Sequence, residues 1–196
     1  MVSDGTYLWV NNTADSYILK LRKFDGAIAD TYYVGYAPNL LAFDGTHLWA
    51  ANALDDSVSR LRVSDGALIG TYPVGDMPAG LAFDGTHLWV SSNSDDSVSK
   101  LRVSDGALVA TYPVGDAPWG VAFDGAHVWV ANGSGNSVSK LRASDGTLIG
   151  TYPTGNSPSD PVFDGTYVWV TNEGDNSVSK LRASDGALIG TYPTGN

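Results

Sequence analysis

Short apolar runs and polar breaks alternate along this chain with a constant step of 40 residues. In one unit, Pro78–Phe83 (PAGLAF) is an apolar run that predicts a strand. The Asp84-Gly85 pair behind it predicts a two-residue type I′ hairpin turn, whose central residues both need positive φ. His87–Ser91 (HLWVS) is aromatic and β-branched and predicts a second strand. Ser92–Asp96 (SNSDD) is a polar loop, and Ser97–Val103 (SVSKLRV) predicts a third strand. Asp105-Gly106 predicts a second hairpin turn and Ala107–Val114 (ALVATYPV) a fourth strand, after which Gly115–Ala117 leads to the next proline. No stretch longer than ten residues keeps a 3.6-residue apolar period free of Gly and Pro, so no helix is predicted.

The FDGTHLW stretch at Phe43–Trp49 recurs as Phe83–Trp89, Phe123–Trp129 and Phe163–Trp169, and more loosely as Ser3–Trp9. Four short strands per unit, repeated five times, predict an all-β, five-bladed β-propeller. The chain is then one domain, 1–196, with blades at about 1–36, 37–76, 77–116, 117–156 and 157–196. Strands are lettered A to D from the axis outwards. Pro73, Pro113, Pro153 and Pro193, with Tyr33 in the first copy, fit strand D, because proline cannot donate to a ladder and belongs at a sheet edge. Trp9, Trp49, Trp89, Trp129 and Trp169 are expected to fill the spaces between neighbouring blades. Met1–Ser3 align with Leu41–Phe43 and predict a short strand A for the first blade. Five full units would need four residues more than the 196 present, the gap corresponding to Ser157–Asp160. This leaves three arrangements: a ring closed by packing alone, an array trimmed from a longer one, or a chain that pairs with another copy.

The segment Pro118–Gly155, PWGVAFDGAHVWVANGSGNSVSKLRASDGTLIGTYPTG, resembles the repeat of the YVTN family of bacterial propellers and is similar to NHL-like and streptogramin-lyase-like blades. The likeness rests on the pattern P-x-G-x-A-x-D-G-x-x-(L/V)-W-V-x-N and extends over all five units. It implies a propeller and little about activity, because one blade type hosts many functions. Streptogramin lyases are metal-assisted enzymes that use histidine and glutamate, usually on seven blades. Here Glu173 is the one glutamate and no histidine lies outside the repeated turn, so no lyase residue transfers position by position.

The net charge of −10 argues against nucleic acid, which needs a clustered basic surface. Ten of the eleven basic residues instead fall at two repeat positions, exemplified by Lys100 and Arg102, and read as scaffold. There is no cysteine, so redox chemistry says nothing of the compartment. No apolar run approaches the ~20 residues of a membrane helix. No leader is legible, and a trimmed leader of a secreted or periplasmic protein would leave the same trace.

Candidate chemistry is sparse. His47, His87 and His127 invite a zinc reading, but they share one repeat position with Tyr7 and Tyr167, so packing is the expectation and no metal or cofactor is assigned. The Asp-Gly acids read as turn residues, with Arg62 and its equivalents as partners on the same rim. Asp55-Asp56 and Asp95-Asp96, with Asp76 and Asp116, offer oxygens for calcium, yet no D-x-[DN]-x-[DN]-G loop is present. On the opposite rim the B–C and D–A loops differ from copy to copy, although residues 43–82 and 83–122 match at 29 of 40 positions. The residue after each D–A proline should face the channel mouth: Asn39, Ala79, Trp119 and Ser159, followed by Leu40, Gly80, Gly120 and Asp160. Trp119 is the only tryptophan outside the packing set. It would stack on a sugar or small polar ligand, or plug the axial hole.

The function expected is a non-enzymatic scaffold binding a small polar ligand, carbohydrate or protein through Trp119, Asn39, Ser159, Asp160, Asp76 and Asp116. It would act as a monomer or homodimer, without nucleic acid or membrane. Two alternatives stand beside it: a lyase-like propeller enzyme using the same mouth, and a trimmed or engineered array of one amplified unit without selected activity.

Overall fold

The structure is a computed structural model that describes residues 1–195. It holds five four-stranded antiparallel sheets, each made of consecutive strands. The first blade comprises β1 (Val2–Ser3), β2 (Tyr7–Asn12), β3 (Tyr17–Arg22) and β4 (Ile28–Tyr33). The second comprises β5 (Pro38–Phe43), β6 (His47–Asn52), β7 (Ser57–Arg62) and β8 (Leu68–Pro73). The third comprises β9 (Pro78–Phe83), β10 (His87–Ser92), β11 (Ser97–Arg102) and β12 (Leu108–Pro113). The fourth comprises β13 (Pro118–Phe123), β14 (His127–Asn132), β15 (Ser137–Arg142) and β16 (Leu148–Pro153). The fifth comprises β17 (Pro158–Phe163), β18 (Tyr167–Asn172), β19 (Ser177–Arg182) and β20 (Leu188–Pro193). No described residue is helical. The A strands β1, β5, β9, β13 and β17 neighbour one another along the axis, and the proline-ended D strands form the outer edges.

The Asp-Gly turns differ from the type I′ expectation. Between β5 and β6 only Gly45 has positive φ (99°), and the turn is centred on Gly45-Thr46. Asp44 is held at its base, where its Oδ1 accepts the backbone N–H of Thr46 at 2.9 Å and of His47 at 2.7 Å. The connection from β7 to β8 is longer than a two-residue turn. Gly66 donates its N–H to the Arg62 carbonyl, so Val63–Gly66 form one helical turn that ends in a left-handed glycine (φ 71°). Strand D accordingly begins one residue later than its sequence suggests, at Leu68. The expected Arg–acid pairs are present in every blade, as in Arg62–Asp65 at 2.8 Å. They are exposed and add little to stability.

Each of the first four blades buries its strand-B tryptophan against the next blade. Trp9, Trp49, Trp89 and Trp129 are fully buried, and each joins a cluster with apolar residues of the following blade; Trp129 packs with Val168, Val170 and Leu181. The sequence does not foretell the partners of the indole. In every blade the turn aspartate accepts the indole N–H at 2.8 Å: Asp4–Trp9, Asp44–Trp49, Asp84–Trp89, Asp124–Trp129 and Asp164–Trp169. The strand-C cation lies over the same ring, with Lys140 Nζ 5.0 Å from the Trp129 centroid. That ammonium then crosses the interface and donates to the Ala183 carbonyl at 2.7 Å. Lys100 does the same to Ala143 at 2.7 Å. The regular cations thus tie blade to blade.

The fifth tryptophan departs from the expectation. Trp169 is half-buried, and no packing comparable to the other interfaces joins β17 or β18 to β1 or β2 among the described residues. Of the three arrangements left by the sequence, a ring closed by packing alone is not formed.

Candidate functional site

The loop rim is built by side chains folding back onto backbone. In the second and third blades the B–C loop is fastened by side chains to the D–A loops on either side of it. In the second blade Asp55 accepts the N–H of Tyr36 at 2.7 Å and Asp56 that of Met77 at 3.0 Å. In the third, Asp95 accepts from Asp76 at 2.7 Å and Asp96 from Ala117 at 2.8 Å. In the later blades Asn136 accepts from Ser157 at 2.9 Å and Asp175 from Asn156 at 2.6 Å. Asp56, Asp96 and Asn136 have φ of 49°, 49° and 47°, and Met77, Ala117 and Ser157 of 53°, 49° and 50°. Left-handed backbone at non-glycine residues is uncommon, and these bonds hold it in place. Four of the acids read as calcium candidates, Asp55, Asp56, Asp95 and Asp96, therefore spend oxygens on loop amides. No group of three or more metal-ligating side chains occurs among the described residues.

Within this rim Asn39, Trp119, Ser159 and Asp160 line one cavity of about 750 Å³. Trp119 is 44% exposed. Its ring lies against Gly133 of its own blade, where a Cβ would come within 2.6 Å of the indole. Trp119 is thus a half-open wall of this cavity. Asp160 is set by its neighbours: its N–H donates to Thr171 Oγ1 at 3.0 Å, and Thr171 also bonds Ser159 Oγ at 2.8 Å. Its carboxylate has room because Gly120 stands beside it, where a Cβ would lie 2.9 Å from Asp160 Oδ1. Asn39 is anchored by its carbonyl, which accepts from Asn11 Nδ2 at 3.0 Å.

Asp76 and Asp116 stand outside this cavity. Both are exposed on D–A loops, and the Asp76 carboxyl is pushed above its ordinary value by Asp95 and then by Asp56. The cavity instead takes in Asn136, Asn156 and Glu173, which sequence reasoning did not select. Glu173 and Asn136 belong to B–C loops and meet the D–A positions only through the fold. Their signal was present in one respect, since Glu173 is the only glutamate in the chain.

The histidines lie on the other rim, beside the A–B turns. His47 Nδ1 is 2.8 Å from Thr46 Oγ1, and Arg60 points a guanidinium nitrogen at the ring at 3.1 Å. Burial, then the Arg60 charge, hold the His47 pKa below its ordinary value, and burial followed by Lys100 does so for His87. All three rings are partly buried beside their turns, and the His47 ring accepts from Arg60.

No family model and no curated protein matches this sequence. Solved structures do. A streptogramin B lyase is similar over 100% of this chain and 68% of its own, at 20% identity and a TM-score of 0.85. A catalytically inactive virginiamycin B lyase from Staphylococcus aureus, solved with quinupristin, is similar over 98% and 67%, at 21% identity and 0.81. A hydrazine synthase from Kuenenia stuttgartiensis is similar over 79% and 48%, at 22% identity and 0.73. This chain spans about half to two thirds of the length of those proteins. With blade order, blade packing and these likenesses in agreement, the chain is a β-propeller repeat protein, similar in fold to the streptogramin B lyase structures.

Proposed function

We propose that this propeller is a binding scaffold that takes a small polar ligand, of carbohydrate type, in the loop-rim cavity. The observation that carries the reading is that one cavity is lined by the half-exposed Trp119 together with Asn39, Asn136, Asn156, Asp160 and Glu173. A sugar ring offers an apolar face for the indole and a fringe of hydroxyls for amides and carboxylates. The fastened loops support the reading, because a wall that is already ordered loses little entropy on binding. The test is a titration of neutral oligosaccharides followed by NMR, with Trp119→Ala alongside the parent. A saccharide that binds the parent should lose affinity by about tenfold or more in the variant. Equal affinity in both would remove Trp119 from the site.

A second reading, a lyase-like enzyme at the same mouth, is favoured by the presence of both Asp160 and Glu173 in the cavity lining and by the fold. Metal-dependent consumption of quinupristin by this chain, abolished in Glu173→Gln, would replace the scaffold reading with that one.

A further inference from the structure

We propose that the two open ends of the blade array bind each other between chains, the fifth-blade flank of one copy docking head to tail on the first-blade flank of a second. The argument comes from the four interfaces inside the chain, all made of the same three parts. A buried tryptophan of one blade meets the apolar B and C strands of the next, as Trp129 meets Val168, Val170 and Leu181. A strand-D tyrosine covers the C–D glycine of the next blade. A Cβ built on Gly66 would lie 1.8 Å from the Tyr32 ring, and one on Gly186 would lie 2.2 Å from that of Tyr152. A strand-C cation donates to carbonyls across the seam, as Lys140 does to Ala183.

The fifth blade presents the first half of this interface unused. Trp169 is half-buried, Tyr192 is 46% exposed and Val162 is 61% exposed, where its counterpart Ala82 is 8% exposed. The Lys180 ammonium folds back over its own blade, 3.8 Å from the Tyr167 ring centroid, instead of crossing a seam. The first blade presents the second half unused. Leu8, Val10 and Leu21 are half-buried, whereas Leu48, Ala50 and Leu61 at the same positions are fully buried. A Cβ built on Gly26 meets nothing within 4 Å. Each flank therefore lacks the surface that the other end of the chain carries. The pairing repeats an interface the sequence already forms four times: Trp169 on Leu8 and Leu21, Tyr192 on Gly26, and Lys180 on the carbonyls at Lys23 and Phe24. Such contacts are heterologous, so the assembly either closes into a ring of copies or extends.

Light scattering and sedimentation of the 1–196 chain, from micromolar to millimolar concentration, test this. The mass should rise above the 20.6 kDa of one copy towards a multiple of it. Two variants each block one flank. Val162→Arg places a long charged side chain on the fifth-blade flank at an exposed position. Gly26→Asn adds a side chain where the free flank has open space; φ there is 71°, a conformation asparagine tolerates, but the docked Tyr192 would collide with it. Each variant alone should melt like the parent and stay at one copy. Mixed together they should form a one-to-one pair through the single flank each retains. A parent that stays at one copy throughout, or association that survives both substitutions, overturns the proposal.

Discussion

The turn aspartate joins a turn to a blade interface. Asp84 closes the A–B turn through the N–H groups of Thr86 and His87 and accepts the indole N–H of Trp89, all within 2.7–2.9 Å. Burial works against its charge, but the Trp89, Thr86 and His87 donors outweigh that and hold its pKa below the ordinary carboxylate value. Asp4, Asp44 and Asp124 show the same direction for the same opposed causes. Asp84→Ala should therefore destabilise the fold by about 2 kcal/mol, because it leaves a buried indole donor without an acceptor. Urea unfolding of parent and variant measures it. The pH dependence has a definite sign. A carboxylate whose pKa is lowered in the folded state contributes stability that is complete above its unfolded value of about 3.9 and is lost as pH falls through the lower folded value. Melting temperature should be level near neutrality on account of these groups and fall below about pH 4. The fall should be shallower in Asp84→Asn. The D-G-x-x-x-W spacing stood plainly in the sequence. Turn chemistry alone accounts for an aspartate at that place, so the spacing does not reveal its second bond to the indole.

Strands are the most legible elements, because apolar alternation and Asp-Gly punctuation act locally; β9 and β13 begin and end where their residues predict. The C–D connection departs from a hairpin because its glycine ends a helical turn, and dipeptide identity alone does not separate the two. The candidate site was half legible. Trp119 announced itself by breaking the repeat, but which B–C residues would face it depends on how adjacent blades fan out. Departures from the repeat also mark weak elements. Asn132 joins β14 to β15 by donating to Ser137 and Ser139 at 3.0 Å each, and Asn52 and Asn172 do the same in their blades. The third blade has Ser92 there, and the Oγ atoms of Ser92 and Ser97 are buried without a partner. Ser92→Asn should restore the amide bridge and stabilise the protein by about 1 kcal/mol. A melting temperature that falls would show that the pocket is too small for the larger side chain.

At the scale of the whole molecule, an array with contacts only between neighbours has stability that depends on how many neighbours each blade has. Inner blades have two and the ends have one. The sequence supplies an internal control, because the C strands of the third, fourth and fifth blades, β11, β15 and β19, are all SVSKLR. Their intrinsic amide exchange rates are alike apart from flanking residues, so differences in protection report their surroundings. Lys100 and Lys140 are buried and bonded across a seam, and Val98 and Val138 are fully buried. Lys180 and Val178 at the same positions are only half-buried. For a single copy, β19 should exchange faster than β15, since opening the end blade breaks one interface and opening an inner blade breaks two. Hydrogen exchange followed by mass spectrometry, on peptides covering these strands at dilution, reads the difference directly. Raising the concentration should then slow β19 towards the rate of β15 as a second copy covers the fifth flank, and Gly26→Asn should hold β19 at its fast rate. Equal protection of the two strands at dilution would mean that the fifth blade gains its stability from within, and that the neighbour terms are small.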